Sequence, residues 1–268
     1  MIRRAAVADL FYAGSSRALR PQVKDLLIPE GEEKTAAVGV VVPHAGYIYS
    51  GAVAGAVYAR LDPPESCVVL GPNHTGLGAA AAIMISGTWE TPLGEASIDT
   101  ELARAILDRS RVLEEDDRAH RKEHAIEVQL PFLQVLFPDL PFVPISLMSH
   151  EYGACRDVGQ AVAEAIQASG KRVLLIASTD MSHYISRELA ERKDRMVIDA
   201  MLDLDPERLH ATVLRERISM CGFHPTTAML VAAKALGASR GELVRYATSG
   251  DVTKDYVSVV GYAGLIIG

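Results

Sequence analysis

The residues best suited to chemistry in this 268-residue sequence are histidines that follow apolar segments. His44, His74 and His183 each come within a few positions of the end of a run rich in valine, isoleucine and leucine. Asp180 precedes His183 by three positions. A neutral imidazole nitrogen binds iron, zinc or copper, and imidazole also exchanges protons near neutral pH. Each histidine alone is also typical of an ordinary turn, but together they predict a site built from several loops.

Each of these residues has a predicted role. We expect His44 and His74 to be two imidazole ligands of one metal ion. Asp180 is predicted to be a further ligand or to hold an imidazole in one tautomer, and His183 to be a general acid or base. The alternative is that Asp180 caps a turn and His183 is simply exposed. Ser182 lacks the G-x-S-x-G surroundings of a hydrolase nucleophile.

Cys221 is the cysteine most suited to a site. Cys67 lies inside an apolar segment and Cys155 at the start of a predicted helix, which is typical of inert buried thiols. Cys221 stands beside a glycine just before another predicted helix, where the helix dipole would favour the thiolate. It is therefore a candidate metal ligand or nucleophile. The alternative is a small buried residue without a chemical role.

A competing motif lies between the second and third histidine-bearing segments. The stretch from His120 to His124 reads H-x-x-E-H, the inverted zincin pattern, in which two histidines one helical turn apart hold zinc. Ile126, Leu130 and Leu133 extend it as one face of an amphipathic helix. A five-residue match is a weak signal. The other interpretation is that His124, with Glu123 or Glu127, lines the pocket, with His124 as a catalytic residue.

These candidates need a scaffold that brings distant segments together. The apolar segments are continuous rather than alternating, which predicts strands that are covered on both faces. Amphipathic segments between them predict helices, one of which would begin after Asp99 as N-cap. The fold class is therefore α/β, with a mostly parallel or mixed central sheet and helices on both faces. Such sheets bind ligands beyond the carboxyl ends of their strands. The apolar segments are residues 37–43, 66–71, 81–86, 142–148, 172–178, 242–247 and 257–267.

Composition limits the class of protein. There are 27 Lys and Arg against 34 Asp and Glu, a formal charge of −7, and 49% of the residues are hydrophobic. This mix is typical of a globular protein, and the acidic balance argues against nucleic acid as a partner. No apolar run is long enough to span a membrane, and the first residues lack the apolar core of a signal peptide. We therefore expect one cytoplasmic domain over residues 1–268, with reduced thiols.

Several motifs in order resemble the Memo family, and the resemblance extends over essentially the whole chain. Prokaryotic members are described as component B of the AmmeMemoRadiSam system, alongside an AMMECR-type protein and a radical-SAM protein. The resemblance therefore implies those two proteins as partners. The matching segments are residues 42–47, 70–74, 123–127, 178–183, 221–225, 249–251 and 259–262.

The resemblance implies a fold like that of class III extradiol dioxygenases, which open catechol rings with non-haem Fe(II). It also implies a metal pocket with ligands at His44, His74 and Cys221, and with Asp180 and His183 beside them. Some relatives carry a second histidine directly after the one that matches His74, and ligation has been placed on it. Thr75 occupies that position here.

The third ligand departs from the dioxygenase pattern, in which two histidines and one carboxylate hold the iron. A thiolate at this position suits Fe(II) but also the softer ions Zn(II) and Cu(I). It is also open to oxidation by O₂, so ring cleavage does not follow from the fold. We expect an Fe(II)-dependent redox enzyme of unknown substrate. The alternatives are a non-catalytic protein that binds a peptide or partner in the same cleft, and a metal-dependent hydrolase.

Overall fold

The computed structural model describes residues 1–28, 34–148 and 151–268. The helices are α1 Ser16–Leu26, α2 Tyr47–Tyr58, α3 Thr100–Leu107, α4 Leu130–Leu136, α5 Tyr152–Ser169, α6 Arg187–Leu202, α7 Pro206–Glu216, α8 Phe223–Ala235 and α9 Gly250–Thr253. The strands are β1 Ile2–Arg3, β2 Gly39–Val42, β3 Ser66–Pro72, β4 Ala81–Ile83, β5 Thr88–Thr91, β6 Gly94–Ser97, β7 Glu114–Glu115, β8 Phe142–Leu147, β9 Val173–Ser178, β10 His183–Ile185, β11 Gly241–Thr248 and β12 Val259–Ile267.

The main sheet is mixed, with a parallel centre. Within the described residues it has nine strands in the order β10-β12-β2-β9-β3-β8-β4-β7, and β11 also pairs with β12. Strands β2, β9, β3 and β8 run parallel, whereas β12 is antiparallel to β2 and β4 is antiparallel to β8. A small second sheet joins β1, β5 and β6. The four parallel strands therefore end at one edge, where ligands bind in such folds.

The predicted fold class is confirmed. Every residue of β2, β3, β8 and β9 is buried, as expected for strands covered on both faces. Helices α1, α2 and α4 pack together, and α2 contacts β2, β11 and β12. Helices α5, α7 and α8 form another packed group, and α8 contacts β2, β3, β8 and β9. All seven apolar segments contain strands, whereas the apolar pattern does not predict β1, β5, β6, β7 and β10.

The helix predicted from residue 120 onward is wrong for residues 120–129 and is confirmed only from Leu130, where α4 begins. The chain from His120 to His124 forms turns, followed by a short 3₁₀ helix at Glu127–Gln129 and then by α4. In an α-helix the His124 N–H would donate to the His120 carbonyl. Here it donates to the Glu123 carboxylate at 2.9 Å, and the His120 carbonyl accepts from the Arg3 guanidinium at 3.0 Å. A residue 117 positions away thus replaces the helical hydrogen bond.

No helix of the described residues is both long and apolar enough to cross a membrane. Buried apolar residues of the described segments form one large hydrophobic core cluster. Its members are drawn from almost the whole sequence, the first being Val7 and the last Ile267.

The predicted cap of α3 is confirmed, and it provides a test of the fold. The Asp99 carboxylate accepts the Leu102 N–H at 3.1 Å and pairs with Lys171 at 3.2 Å. We expect Asp99→Ala to lower the free energy of unfolding by about 1 kcal/mol, because the N-cap is lost. Asp99→Asn should cost less, since asparagine also caps helices. Urea denaturation measures both changes.

The pH dependence of this difference is a further check. Burial acts to raise the pKa of Asp99, but hydrogen bonds from Leu102 and Lys171 bring it below its ordinary value. A carboxyl with a lowered folded pKa stabilises the protein at neutral pH, and this contribution is lost as the pH falls through that pKa. The stability difference between wild type and Asp99→Asn should therefore shrink on acidification. An increase of that difference in acid would contradict the assignment.

Candidate metal centre

Three donor atoms converge at the carboxyl edge of the parallel strands. His44 follows β2, His74 follows β3, and Cys221 lies just before α8. One imidazole nitrogen of each histidine and the Cys221 Sγ lie within 4.8 Å of one another. Segments separated by up to 177 residues thus meet at one point. The structure brings together the three residues predicted as ligands.

Glu123 fixes the orientation of His74. Its Oε1 lies 2.9 Å from the His74 Nδ1, and its Oε2 accepts the His74 backbone N–H at 2.5 Å. A carboxylate only accepts, so the proton of the neutral imidazole is assigned to Nδ1. This leaves the lone pair on Nε2, the atom that can bind a metal. Metal-binding histidines usually donate their other ring N–H in this way.

Glu123 is better understood as a partner of His74 than as a ligand. Glu123, His74 and His124 also place donor atoms within 4.8 Å of one another. However, Oε1 of Glu123 already accepts the backbone N–H groups of His124 and Ala125, both at 2.9 Å, besides the His74 ring. These contacts occupy its lone pairs. Together with the His74 ring they bring the pKa of Glu123 to about 2, although burial acts to raise it.

A buried hydrogen-bond chain fixes the orientation of His44. The Ser178 Oγ donates to the Ala125 carbonyl at 2.6 Å and accepts from the Gln129 amide at 2.8 Å. The Gln129 amide nitrogen also donates to the Pro43 carbonyl at 3.0 Å. Because the single Ser178 hydrogen is used, His44 Nδ1, at 2.9 Å, must be the donor to Ser178. The lone pair of His44 is therefore on Nε2.

The Cys221 sulfur completes the group. Its Sγ lies 3.2 Å from His44 Nε2 and accepts the Asp180 N–H at 3.2 Å. The expectation that the helix N-terminus favours the thiolate is wrong for the metal-free protein. Burial, and after it the charge of Asp180, raises the pKa of this thiol far above its ordinary value. The neutral thiol can donate its proton to His44 Nε2 or to the Asp180 carbonyl, which lies 3.6 Å from the sulfur.

Asp180 acts on the backbone of the His44 loop. Its carboxylate accepts the His44 N–H at 2.8 Å, and it is almost fully buried. Burial raises its pKa, while the backbone N–H of His44 acts in the opposite direction. Asp180 therefore joins the loop after β9 to the loop after β2. Asp180 does not belong to either group of converging metal-donor atoms found among the described residues.

His183 and His124 face the same cavity. The His183 Nδ1 lies 2.8 Å from the Ser219 carbonyl, which only accepts, so its lone pair is also on Nε2. His124 stacks on His74 with ring centroids 4.6 Å apart. Burial, and after it the neighbouring His44, lowers the pKa of His124 to about 4, so this imidazole is neutral at physiological pH. Both rings can accept a hydrogen bond from a bound molecule.

His120 lies outside this site. It is fully buried, with its ring centroid 5.7 Å from that of Trp89. Within the part of the chain that the structure describes, neither of its ring nitrogens has a hydrogen-bond partner or belongs to a converging donor group. The inverted zincin interpretation is therefore wrong. It required a helix that does not form here.

A cavity of about 600 Å³ is bordered by His44 and His74, two of the three candidate ligands, whereas Cys221 is not among the described residues that line it. Its floor includes His44, His74 and Asp180, and its sides are largely apolar or aromatic. This volume is within the usual range for small-molecule sites. The described residues around it are Leu10, Phe11, His44, Ala45, Gly46, Tyr49, His74, His124, Asp180, His183, Tyr184, Ser249, Thr253, Val260 and Tyr262.

Sequence reasoning does not assign the residues that orient the imidazoles. From the sequence, Ser178 is only the end of a predicted strand, and Gln129 is part of a predicted helix. A signal is present, because Gln129 is a polar residue between Val128 and Leu130 in an apolar stretch. A buried polar side chain needs a partner. Which partner it has depends on the tertiary fold.

Comparison with known proteins places the chain in a family. A profile of Memo-like proteins matches residues 3–266. The chain belongs to the Memo-like family. It is 44% identical over 279 residues to a MEMO1 family protein of Methanopyrus kandleri, with 99% of each chain covered. It is 43% identical over 284 residues to a MEMO1 family protein of Methanococcus maripaludis, with 100% of each covered.

Structural comparison adds one solved fold. The crystal structure of an uncharacterized protein from Escherichia coli K12 matches with a TM-score of 0.57 at 15% identity. The match covers 86% of this chain and 99% of that chain. At this identity the likeness concerns the fold alone.

In this Memo-like chain, Thr75 has a structural role. Its backbone N–H and its hydroxyl both bond the Asn73 side-chain oxygen, at 3.0 Å and 2.8 Å. The turn is therefore held by Asn73, and His74 is the residue that faces the donor group.

Replacing Glu123 tests its orienting role. We expect Glu123→Gln to lower the free energy of unfolding by about 1–3 kcal/mol, because one amide oxygen cannot replace a carboxylate that accepts four N–H groups. Urea denaturation of the metal-free protein measures this loss. Glu115→Gln is the matched control on an exposed carboxylate, and should change stability by less than about 0.5 kcal/mol. Equal effects of both changes would refute the role.

Proposed function

We propose that this Memo-like protein is a metal-dependent enzyme in which His44, His74 and Cys221 hold one Fe(II) ion for redox chemistry on a small substrate. One observation carries the proposal. Two imidazole nitrogens with free lone pairs and one sulfur lie within 4.8 Å of one another, and both imidazoles line a cavity. Each imidazole uses its other nitrogen for a hydrogen bond to a buried partner. This is the usual arrangement around metal-binding histidines.

The donor set fits the proposed ion. Imidazole is a borderline ligand that suits iron, zinc and copper, and thiolate adds a soft donor. Zn(II) and Cu(I) are therefore the competing ions, and metal analysis distinguishes them. Iron bound at such a site would supply open coordination positions for a small oxygenated substrate or O₂.

In this proposal, metal binding displaces the thiol proton of Cys221. In the metal-free protein the thiol faces His44 Nε2 at 3.2 Å. Thiolate and neutral imidazole are the forms that bind metals, so loading the site must displace one proton. The buried surroundings that raise the thiol pKa make this displacement costly without a cation. Metal uptake should therefore weaken as the pH falls.

The remaining polar residues serve the substrate. His183 presents a lone pair at Nε2 to the cavity, which makes it the candidate base. His124 lies beside both ligand imidazoles, with ring centroids 5.4 Å from His44 and 4.6 Å from His74. It can accept a hydrogen bond from a molecule above the metal. Asp180 acts as a positioning residue through the His44 backbone.

The proposal includes partners. Family membership and the resemblance of the sequence motifs support association with a radical-SAM protein and an AMMECR-type protein. Co-expression of all three, followed by affinity purification of this chain, would test the association. Recovery of this chain alone would contradict it.

Metal content tests the site directly. We expect the protein purified without oxygen to contain about one metal ion per chain, mostly iron, by elemental analysis. His44→Ala and Cys221→Ser should each retain less than about a tenth of that amount, because each removes a ligand. His183→Gln is the matched control, since it removes a cavity histidine outside the donor group, and it should retain the metal.

Two outcomes would end the proposal. One is equal metal content in wild type and both ligand variants. The other is a protein without metal even after anaerobic loading with Fe(II), Zn(II) or Cu(I). Circular dichroism of each variant confirms that it is folded before its metal content is compared.

A further inference from the structure

Tyr184 occupies an irregular position at the edge of the main sheet. It is the central residue of β10, which pairs with β12. His183 lies opposite Val260 and Ile185 opposite Val259, so β10 uses one residue more than its partner. Tyr184 is that extra residue. It therefore forms a β-bulge, a feature that often re-aims side chains beside functional sites.

The backbone of Tyr184 has an unfavourable conformation for its residue type. Its φ is +57°, in the left-handed region, where bulky residues are uncommon. Bulge positions of this kind favour glycine, which has no Cβ to clash. The side chain is 77% exposed, so packing does not repay the strain. A strained, exposed aromatic residue beside a cavity points to a function for its ring.

The bulge has a direct consequence for the cavity. Neighbouring side chains of a regular strand point to opposite faces. Here His183 and Tyr184 both border the same cavity, and their ring centroids are 5.8 Å apart. The bulge thus places an aromatic face beside the candidate base.

The rest of the cavity wall has little charge. Leu10, Phe11, Tyr49 and Tyr262 contribute further apolar and aromatic surface. No lysine or arginine occurs among the described residues that line the cavity. The whole chain carries a formal charge of −7. A carboxylate or phosphate ligand would therefore find no fixed counter-charge on these walls, whereas an apolar body would be well accommodated.

We propose that Tyr184 is a binding and specificity-determining residue of this cavity, and that its ring packs against the flat apolar body of an uncharged ligand. The observation behind this proposal is the strained, solvent-exposed tyrosine at a bulge where glycine would be favoured. This proposal rests on the proposed metal centre in one respect only: the polar end of the ligand would point towards His44 and His74. The aromatic wall itself lies on protein residues and can be tested without metal.

The test uses two probes that share one ring system and differ in charge. 2-Naphthol is uncharged at neutral pH, and 2-naphthoate carries a carboxylate. Binding of each is measured by isothermal titration calorimetry to the full chain as purified and after removal of metal with a chelator. The variants are Tyr184→Gly, which removes the ring and the strain, and Tyr184→Phe, which keeps the ring. Asp139→Gly is the control, because Asp139 is also exposed with a φ of +63° but is not among the cavity-lining residues.

We expect 2-naphthol to bind wild type and Tyr184→Phe with dissociation constants within about twofold of each other, and Tyr184→Gly roughly threefold to tenfold more weakly. Asp139→Gly should bind like wild type, and in the metal-free protein 2-naphthoate should bind more weakly than 2-naphthol. The melting temperature of Tyr184→Gly should equal or exceed that of wild type, because the left-handed backbone suits glycine.

Several results would overturn the proposal. These are unchanged 2-naphthol binding by Tyr184→Gly, loss of binding in Tyr184→Phe, equal or tighter binding of 2-naphthoate by the metal-free protein, or no binding of 2-naphthol at all. A melting temperature of Tyr184→Gly well below that of wild type would show that the ring packs for stability. Binding is also measured with the metal-free protein. If the protein binds no metal, the proposed metal centre is refuted, but the role of Tyr184 can still be tested.

Discussion

The site depends on hydrogen bonds at the Nδ1 atoms of two imidazoles, one buried (His44) and one exposed (His74). Glu123 holds one of them and Ser178 the other. Each partner is itself fully buried and fully bonded, so it cannot turn away from its imidazole. The result is that His44 and His74 both present lone pairs at Nε2. Without these contacts the rings could flip, and the sulfur of Cys221 would face a donor rather than an acceptor.

The fold places these hydrogen bonds at the point where its parallel strands end. The loops after β2, β3 and β9 carry His44, His74 and Asp180, each two positions beyond its strand. The turn that holds Glu123 is joined to the N-terminal strand by Arg3, which donates to the His120 and Glu123 carbonyls and pairs with Glu127. The candidate centre therefore depends on contacts from the N-terminal strand to a turn more than a hundred residues away.

Local patterns and the positions of strand ends are the features that the sequence predicts. Continuous apolar segments indicate the buried strands, and Asp99 marks the start of a helix. Histidines at strand ends identify residues that converge in the fold. The turns around Glu123 could not be predicted, since Arg3 takes a carbonyl that a helix would use. The left-handed backbone of Tyr184 was also unpredictable, because a tyrosine does not mark such a position as a glycine would.

The most direct test of the account is the tautomer of the two histidines in the metal-free protein. Long-range nitrogen-15 correlation spectra of histidine-labelled protein at neutral pH distinguish a protonated Nδ1 from a protonated Nε2. With His44→Gln and His74→Gln to assign the signals, we expect both residues to carry the proton on Nδ1. A proton on Nε2 of either residue would mean that the lone pairs do not converge on Cys221, and would contradict the proposed centre.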